Sequence, residues 1–303
     1  MTYLPVALFN YEDGGLTAQG HSFGKLARAF SVCQEAPALI MLCEAKEYGY
    51  KGGTPLHYAA DVLSEQLGRN YDTRLGWVSR GDIAPAIFFD SQVLALRFWG
   101  DQSVGLSRRN VARFRLRGRE DMLQVVVQHW EPNDGGVRLL EAKRINQYGG
   151  DAIPTLLGGD LNGTASGPHL PRGEWMEEGY RKRTQKGLQL PNGQWVADTA
   201  ALDHLVGGWD PALNNGQGGR GESCGFRIVA ELAHQTGTPA QEAFMATVNE
   251  GIDASGLLID YLLANLALAP AYVPGSYKVH VPPGTTRAEY PSDHRLVVAA
   301  FDL

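Results

Sequence analysis

The chain has 303 residues, 44% hydrophobic and 20% charged, so it can bury one large core or two smaller ones. A formal net charge of −6 excludes a surface built as a whole to bind polyanions, and leaves that task to local basic patches or bound cations. The three cysteines, Cys33, Cys43 and Cys224, form no CxxC spacing and indicate a reduced compartment rather than a disulfide framework.

The N-terminal stretch MTYLPVALFNYEDGG lacks the basic region and the long apolar run of a signal peptide. The longest apolar segment, SGLLIDYLLANLALAPAYV, is interrupted by Asp260 and Asn265, which makes it a poor membrane-spanning candidate. We therefore expect a cytoplasmic protein without membrane contact, and the sequence gives no sign of an obligate protein partner.

Short apolar runs alternate with helical patterns along the chain. Seven runs have the length of a buried strand, namely LPVALFN, ALIMLCEA, APAIFFD, LQVVVQHW, IPTLLGGD, GLLIDYLLA and HRLVVAAF. Helical spacing occurs in TPLHYAADVLSEQLGR, which Thr54 and Gly68 bound, and in GVRLLEAKRINQYGG, CGFRIVAELAHQTG and PAQEAFMATVNEG. Strands that are apolar on both faces and alternate with helices predict sheets covered by helices.

Two segments depart from this pattern. In NVARFRLRGRE, Arg113 and Arg115 alternate with apolar residues, which predicts a half-buried strand whose basic face is either simply solvated or lines a phosphate-binding groove. Residues 165–255 are rich in glycine, asparagine and charges, so we expect an elaboration of loops and two helices there. Trp175 and Trp195 within it are either core residues or stacking surfaces.

Polar side chains recur where the apolar strands end. They are Asn10 and Glu12, Glu44, His129, Asp160 and Asn162, Asp260, and finally Asp293 and His294 just before the last strand. Any one of them alone is most simply a turn or cap residue. Their recurrence at successive strand ends predicts that they converge at one edge of a sheet and form a site.

The residue types at these strand ends favour one chemistry. Carboxylates and amides suit a hard cation such as Mg²⁺, and no HExxH motif or Cys/His cluster indicates zinc. Two histidines add groups that transfer protons near neutral pH. Together these groups predict metal-dependent hydrolysis of a phosphate ester.

The ordered set FNYE, LCEA, VVQHW, GGDLN, LIDYLLA and SDHRLVV resembles the endonuclease/exonuclease/phosphatase superfamily, the deoxyribonuclease I-like proteins, over residues 4–303. GDLN followed much later by SDH is the most specific part. The resemblance implies a single domain over residues 1–303 with an α/β (α+β) fold. In that fold, a four-layer α/β/β/α sandwich, helices cover two central mixed β-sheets and the site lies at one edge of the sheets.

The resemblance also implies a metal site. Glu44 would be the main ligand of Mg²⁺, with Mn²⁺ or Ca²⁺ as alternatives, and Asn10, Glu12 and Asp293 would lie on or beside the ion. Cys43 stands where members of the superfamily commonly have glutamine, and we expect its side chain to face away from the site.

Five further residues acquire catalytic roles from the same resemblance. Asp160 and Asn162 match the pair that holds the nucleophile and a phosphate oxygen. His294, oriented by Asp260, matches the histidine that contacts the scissile phosphate or takes a proton from water. His129 matches a general acid for the leaving oxygen.

The leading functional hypothesis is a nuclease that cleaves phosphodiester bonds in DNA or RNA. Basic residues with aromatic neighbours, Arg113 and Arg115 in one segment and Arg181 and Lys182 in YRKRTQK, are the candidate substrate-binding groups. A phosphatase acting on a small-molecule or lipid phosphomonoester is the alternative. A binding protein that keeps the fold without the chemistry is a third hypothesis.

Overall fold

The computed structural model describes residues 1–77, 83–101, 110–170, 174–249, 256–282 and 289–303. The strands in these ranges are β1 (Tyr3–Asn10), β2 (Leu16–Thr17), β3 (Gly20–His21), β4 (Leu39–Cys43), β5 (Tyr71–Leu75), β6 (Ala86–Asp90), β7 (Leu94–Asp101), β8 (Asn110–Leu116), β9 (Met122–His129), β10 (Thr155–Asp160), β11 (Gly187–Gln189), β12 (Trp195–Ala197), β13 (Trp209–Asp210), β14 (Gly219–Arg220), β15 (Phe226–Ile228), β16 (Asp260–Asn265), β17 (Lys278–His280) and β18 (Leu296–Asp302).

The α-helices in these ranges are α1 (Phe23–Phe30), α2 (Tyr50–Leu67), α3 (Gly135–Ile145), α4 (Tyr180–Lys186), α5 (Ala200–Val206), α6 (Leu213–Gly216), α7 (Val229–Gln235) and α8 (Ala240–Ala243). Short 3₁₀ turns cover Glu12–Gly15, Asn146–Tyr148 and Ala269–Ala271. No helix in the described part of the chain combines the length and apolar character needed to cross a bilayer.

Two six-stranded sheets form the centre of the fold. The first has the order β17-β18-β1-β4-β6-β5 and the second has the order β15-β16-β10-β9-β8-β7. Within each sheet one pair is parallel, β1 with β4 and β9 with β10, and the other pairs are antiparallel. Both sheets are therefore mixed, as the resemblance implied.

The pattern of buried residues along the strands shows how the layers are arranged. On β1, Val6 and Leu8 belong to the buried cluster that the two sheets share, whereas Ala7 and Phe9 face α1 and α2 on the other side. This alternation follows from the period of two in strand side chains. Ala142 of α3 and Leu202 of α5 join the cluster of the second sheet. The prediction of a helix/sheet/sheet/helix sandwich is confirmed.

The predicted helix at residues 54–69 forms with nearly the predicted boundaries. Lys51, Gly52 and Gly53 all have positive φ, so regular helix begins only after them, and the Thr54 hydroxyl donates to the Lys51 carbonyl (2.8 Å). Gly68 ends the helix with φ of 65°, the left-handed conformation that glycine adopts without steric cost.

The elaboration contains more regular structure than two helices. The predicted helix CGFRIVAELAHQTG is wrong in its first half, because Phe226–Ile228 forms β15, which extends the second sheet next to β16. Phe226 and Ile228 are buried and Arg227 between them is not, which is the alternation of an edge strand. Within its described residues, 239–249, the predicted helix PAQEAFMATVNEG is helical only over Ala240–Ala243.

Candidate active site

Five strand ends meet at one edge of the sandwich. Register places Asn10 of β1 opposite Cys43 of β4, and Asp160 of β10 opposite both His129 of β9 and Asp260 of β16. The convergence that the sequence predicted is therefore built into the strand pairing of both sheets.

Asn10 connects the two sheets at this edge. Its side-chain Nδ2 donates to Glu44 Oε1 (3.2 Å) and to Asp160 Oδ2 (3.0 Å), so one amide holds a carboxylate from each sheet. The Asn10 Oδ1 atom is buried and has no hydrogen-bond partner in the protein. A buried acceptor of this kind calls for a ligand, a water molecule or an ion.

Glu44 follows β4 in a left-handed backbone conformation with φ of 62°, which is uncommon for residues other than glycine. Its Oε2 accepts the N–H of Asp13 (2.8 Å). The Nε2 atom of His129 lies 3.7 Å from Glu44 Oε1 and 3.6 Å from Asp160 Oδ2. Non-glycine residues held in such conformations cluster at functional sites.

Asp160 is the central carboxylate and is almost fully buried. Burial raises its pKa, but the positive charges of His294, His129 and Lys186 and the N–H of Asn162 (2.9 Å) outweigh burial, so the net shift is downward. Asp160 is therefore held as a carboxylate among cationic and N–H groups.

His294 and Asp260 form a buried pair. The distance from His294 Nδ1 to Asp260 Oδ2 is 2.7 Å, and the backbone N–H of Asp260 donates to the Thr247 hydroxyl (3.0 Å). Burial lowers the pKa of His294, but the charge of Asp260 and its hydrogen bond raise it well above its usual value. Burial raises the pKa of Asp260 in turn, and His294 opposes that shift. His294 Nε2 lies 3.8 Å from Asp160 Oδ2.

Ser292 fixes the last segment against the first strand. Its hydroxyl donates to the Asn10 carbonyl (2.7 Å) and lies 3.2 Å from Asp293 Oδ1, and it receives the N–H groups of Glu12 (3.1 Å) and His294 (3.2 Å). Glu12 and Asp293 are half-buried beside it. Ser292 is the first residue of the SDH triplet but was not among the site residues predicted from the sequence.

Asn162 also has a left-handed backbone, with φ of 50°. Its Nδ2 donates to the Trp130 carbonyl (3.0 Å), while Lys186 Nζ donates to the Asn162 carbonyl (3.1 Å) and to its Oδ1. Lys186 was not among the site residues predicted from the sequence. The sequence feature that could have identified Lys186 is its position as the last basic residue of YRKRTQK, at the C-terminal end of α4.

Arg113 and Arg115 lie away from the converging groups. On β8 they face positions of β9 that precede His129 by five and seven residues, about 16 and 23 Å along the strand. Arg113 Nε donates to Gln124 Oε1 (2.9 Å). The half-buried strand predicted here is confirmed, and the structure does not bring its arginines to the site.

Arg181 and Lys182 share α4 with Lys186 and lie about one turn from it. Arg181 is exposed, whereas Lys182 pairs with Glu178 (3.2 Å) and its Nζ lies 6.0 Å from the centre of the Trp175 ring. The basic helix is therefore adjacent to the site, and one of its lysines reaches Asn162.

The donor atoms at this edge fit a hard divalent cation. One group of ligand atoms within 4.8 Å of one another comes from Glu44, His129 and Asp160, and a second comes from Asp160, Asp260 and His294. The orphaned Oδ1 of Asn10 adds another oxygen. Mg²⁺ and Mn²⁺ take such oxygen-rich donor sets.

Cys43 faces the space between the sheets. Its Sγ donates to the Gln128 carbonyl (3.4 Å) and accepts the N–H of Asp160 (3.4 Å). Its side chain is therefore behind the carboxylates and supports their backbone.

The fold and this edge together define an α/β sandwich with an acidic, histidine-containing site. No family model and no curated protein matches the sequence. Solved structures do match. An AP endonuclease from Archaeoglobus fulgidus is 17% identical, with a TM-score of 0.61 over 99% of this chain and 100% of that one.

Two further structures agree. An endonuclease/exonuclease/phosphatase family protein from Bacteroides thetaiotaomicron is 16% identical, with a TM-score of 0.56 over 100% of this chain and 96% of that one. D. rerio TDP2 complexed with a single-strand DNA product is 12% identical, with a TM-score of 0.58 over all of both chains. The chain thus has the fold of these solved structures, the deoxyribonuclease I-like sandwich that its motifs predicted.

Proposed function

We propose that this protein is a phosphodiesterase that depends on a divalent metal and cleaves nucleic acid. The observation that carries the proposal is the surroundings of one carboxylate oxygen. Asp160 Oδ2 lies 3.0 Å from Asn10 Nδ2, 3.6 Å from His129 Nε2 and 3.8 Å from His294 Nε2. A substrate phosphate placed here would have imidazoles on both sides and a carboxylate to orient an attacking water.

Glu44 and Asn10 are the residues that would hold Mg²⁺ or Mn²⁺, with Glu12 and Asp293 beside them. When bound, such an ion stabilises the charge that develops on the phosphoryl oxygens. The left-handed turn at Glu44 and the Asp13 N–H at its Oε2 aim the carboxylate before any ion binds.

The protein side chains around this site have separate roles in the reaction. Asp260 holds His294 by Nδ1, which leaves Nε2 facing Asp160, and the imidazole steadies charge or moves a proton at that atom. Asp160 and Asn162 orient the nucleophile and a phosphate oxygen. His129, near both Glu44 and Asp160, is the candidate acid for the leaving oxygen.

Two observations support nucleic acid as the substrate class. The D. rerio TDP2 structure contains a single-strand DNA product, and the A. fulgidus protein is an AP endonuclease. In this chain, α4 carries four basic residues, Arg181, Lys182, Arg183 and Lys186, and its last lysine contacts Asn162. Basic side chains supply the phosphate contacts that dominate nucleic-acid affinity.

A substrate panel tests the proposal. The protein is incubated with plasmid, single-stranded DNA, RNA, bis-p-nitrophenyl phosphate and p-nitrophenyl phosphate, with Mg²⁺ or with EDTA. We expect cleavage of a nucleic acid and of the diester with Mg²⁺ and none with EDTA. Hydrolysis of the monoester alone would support a phosphatase, and inertness toward all five with Mg²⁺, Mn²⁺ and Ca²⁺ would support a binding protein.

The Glu44→Gln variant tests the metal assignment. The amide keeps the shape of the side chain but removes the charge that would hold the ion, so we expect kcat/KM on the diester to fall about hundredfold or more. Glu35→Gln, which changes an exposed carboxylate beside Tyr3, is the matched control. If Glu44→Gln keeps wild-type rates at every Mg²⁺ concentration, Glu44 is not a metal ligand.

A further inference from the structure

A cavity of about 500 Å³ opens in the elaboration, with walls drawn from residues 164–199. One wall is the segment 164–167, which begins two residues after Asn162, and the others come from later residues of the elaboration. They include Leu170, Glu174, Trp175, Met176, Gln194 and Trp195. The volume is in the range of ligand pockets, about 300–1,000 Å³.

Contacts join this cavity to the catalytic edge. Trp175 packs with Val248 and Ile259 in a small buried cluster of its own. Val248 is paired with His294 across an isolated β-bridge, and Ile259 immediately precedes Asp260. The Trp175 wall of the cavity is therefore connected to the Asp260–His294 pair through Val248 and Ile259.

Two tryptophan rings line the cavity, and a basic side chain of α4 lies over each ring. Lys182 Nζ lies 6.0 Å from the centre of the Trp175 ring, and Arg183 Cζ lies 5.9 Å from the centre of the Trp195 ring. Aromatic faces stack on flat rings, and cations beside them attract an anionic chain. Glu174 and Gln194 add polar groups that can pair with the edge of a ring.

We propose that this cavity, the tryptophan pocket, binds the nucleobase of the nucleotide next to the scissile phosphate. The inference rests on the proposed function and specifies its substrate class. Apolar and aromatic walls select a flat base, the basic residues of α4 take the sugar–phosphate chain, and the neighbouring catalytic edge receives the phosphate.

Two diesters with the same leaving group test the pocket. Thymidine 5′-(p-nitrophenyl phosphate) carries a base, and methyl p-nitrophenyl phosphate does not. We expect the wild-type ratio of kcat/KM to favour the nucleoside diester, and Trp195→Ala to reduce that ratio about tenfold through lost stacking. Trp195→Phe should retain most of the ratio, and Tyr58→Ala, an exposed aromatic on α2, should leave it at the wild-type value. A ratio unchanged in Trp195→Ala would overturn the proposal.

A binding measurement separates this inference from the proposed function, because it needs no turnover. Thymidine 5′-monophosphate is titrated against the protein in EDTA while tryptophan fluorescence is recorded, and decyl phosphate is titrated in parallel. Saturable binding of the nucleotide that weakens in Trp195→Ala supports the pocket even if no diester is hydrolysed. Saturation by decyl phosphate alone would overturn it in favour of a lipid chain.

Discussion

Asp260 sets the charge state of His294. Its carboxylate lies 2.7 Å from His294 Nδ1 and is the largest influence that raises the imidazole pKa against burial. In Asp260→Asn the burial remains and the charge is lost, so we expect the pKa of His294 to fall. NMR titration of the imidazole protons in metal-free protein measures this shift.

The same variant should lose activity, because an amide cannot steady the imidazolium, and we expect kcat to fall about hundredfold or more. Asp302→Asn, which changes an exposed carboxylate at the far end of β18, is the control for removing one charge. If the pKa of His294 in Asp260→Asn equals the wild-type pKa, then Asp260 does not control the protonation of His294.

Residue types at strand ends predicted the central groups of the site because backbone geometry places them there. Asp160, His129 and Asp260 face one another by register alone. Ser292 and Lys186 were missed for a different reason. Their roles are hydrogen bonds to Asn10 and Asn162 that depend on how loops fold back, which no local pattern encodes.

At the scale of elements, β10 shows what two adjacent glycines do in a buried strand. A Cβ atom on Gly159 would clash with the backbone carbonyl oxygen of Gln128 on β9. A Cβ atom on Gly158 would instead lie 2.5 Å from Met41 Sδ, near the flexible end of that side chain. The strand therefore needs Gly159 for its pairing with β9 and Gly158 for contact between the sheets.

Two alanine variants distinguish the requirement for Gly159 from the requirement for Gly158. We expect Gly159→Ala to lower the free energy of unfolding by about 3 kcal/mol or more, because backbone must move, and Gly158→Ala to cost about 1–2 kcal/mol as Met41 shifts. Urea denaturation followed by circular dichroism measures both. Equal losses in the two variants would contradict the distinction between a backbone and a side-chain neighbour.

Elements with strong periodicity were predicted well and the elaboration was not. The buried strands β9 and β10 follow continuous apolar runs, and α2 has an amphipathic stripe with a glycine at its end. The three residues of β15 lie directly before α7, so their apolar spacing merges with that of the helix. Only pairing with β16, more than thirty residues later, makes them a strand.

At the scale of the whole molecule, the order of the strands was accessible only through the resemblance. β1 pairs with β18, so the first and last strands of the chain are neighbours, and both contribute to the site through Asn10 and the adjoining His294. Periodicity carries no information about such distant pairing. The motifs FNYE and SDH did, because their spacing resembles that of a known fold.

Glu141 on α3 couples the stability of the whole fold to pH. Burial is the main cause that raises its pKa from 4.5 to about 7, with Glu131 adding to the shift, while the Glu131 N–H (3.0 Å), Arg138 and Arg144 oppose it. Between these two pH values the unfolded chain releases the proton and the folded chain keeps it. The Glu141 contribution to stability is therefore lost as pH rises from about 4.5 to about 7.

Glu141→Gln removes that dependence, because a neutral amide can still accept the Glu131 N–H. We expect the free energy of unfolding of the variant, minus that of the wild type, to grow by about 3 kcal/mol between pH 4.5 and pH 8. Urea denaturation in EDTA at several pH values measures this difference and excludes any contribution from bound metal. Glu65→Gln, at an exposed position of α2, is the control for loss of one surface carboxylate. A difference that is constant with pH would mean that Glu141 ionises equally easily in the folded and unfolded chains.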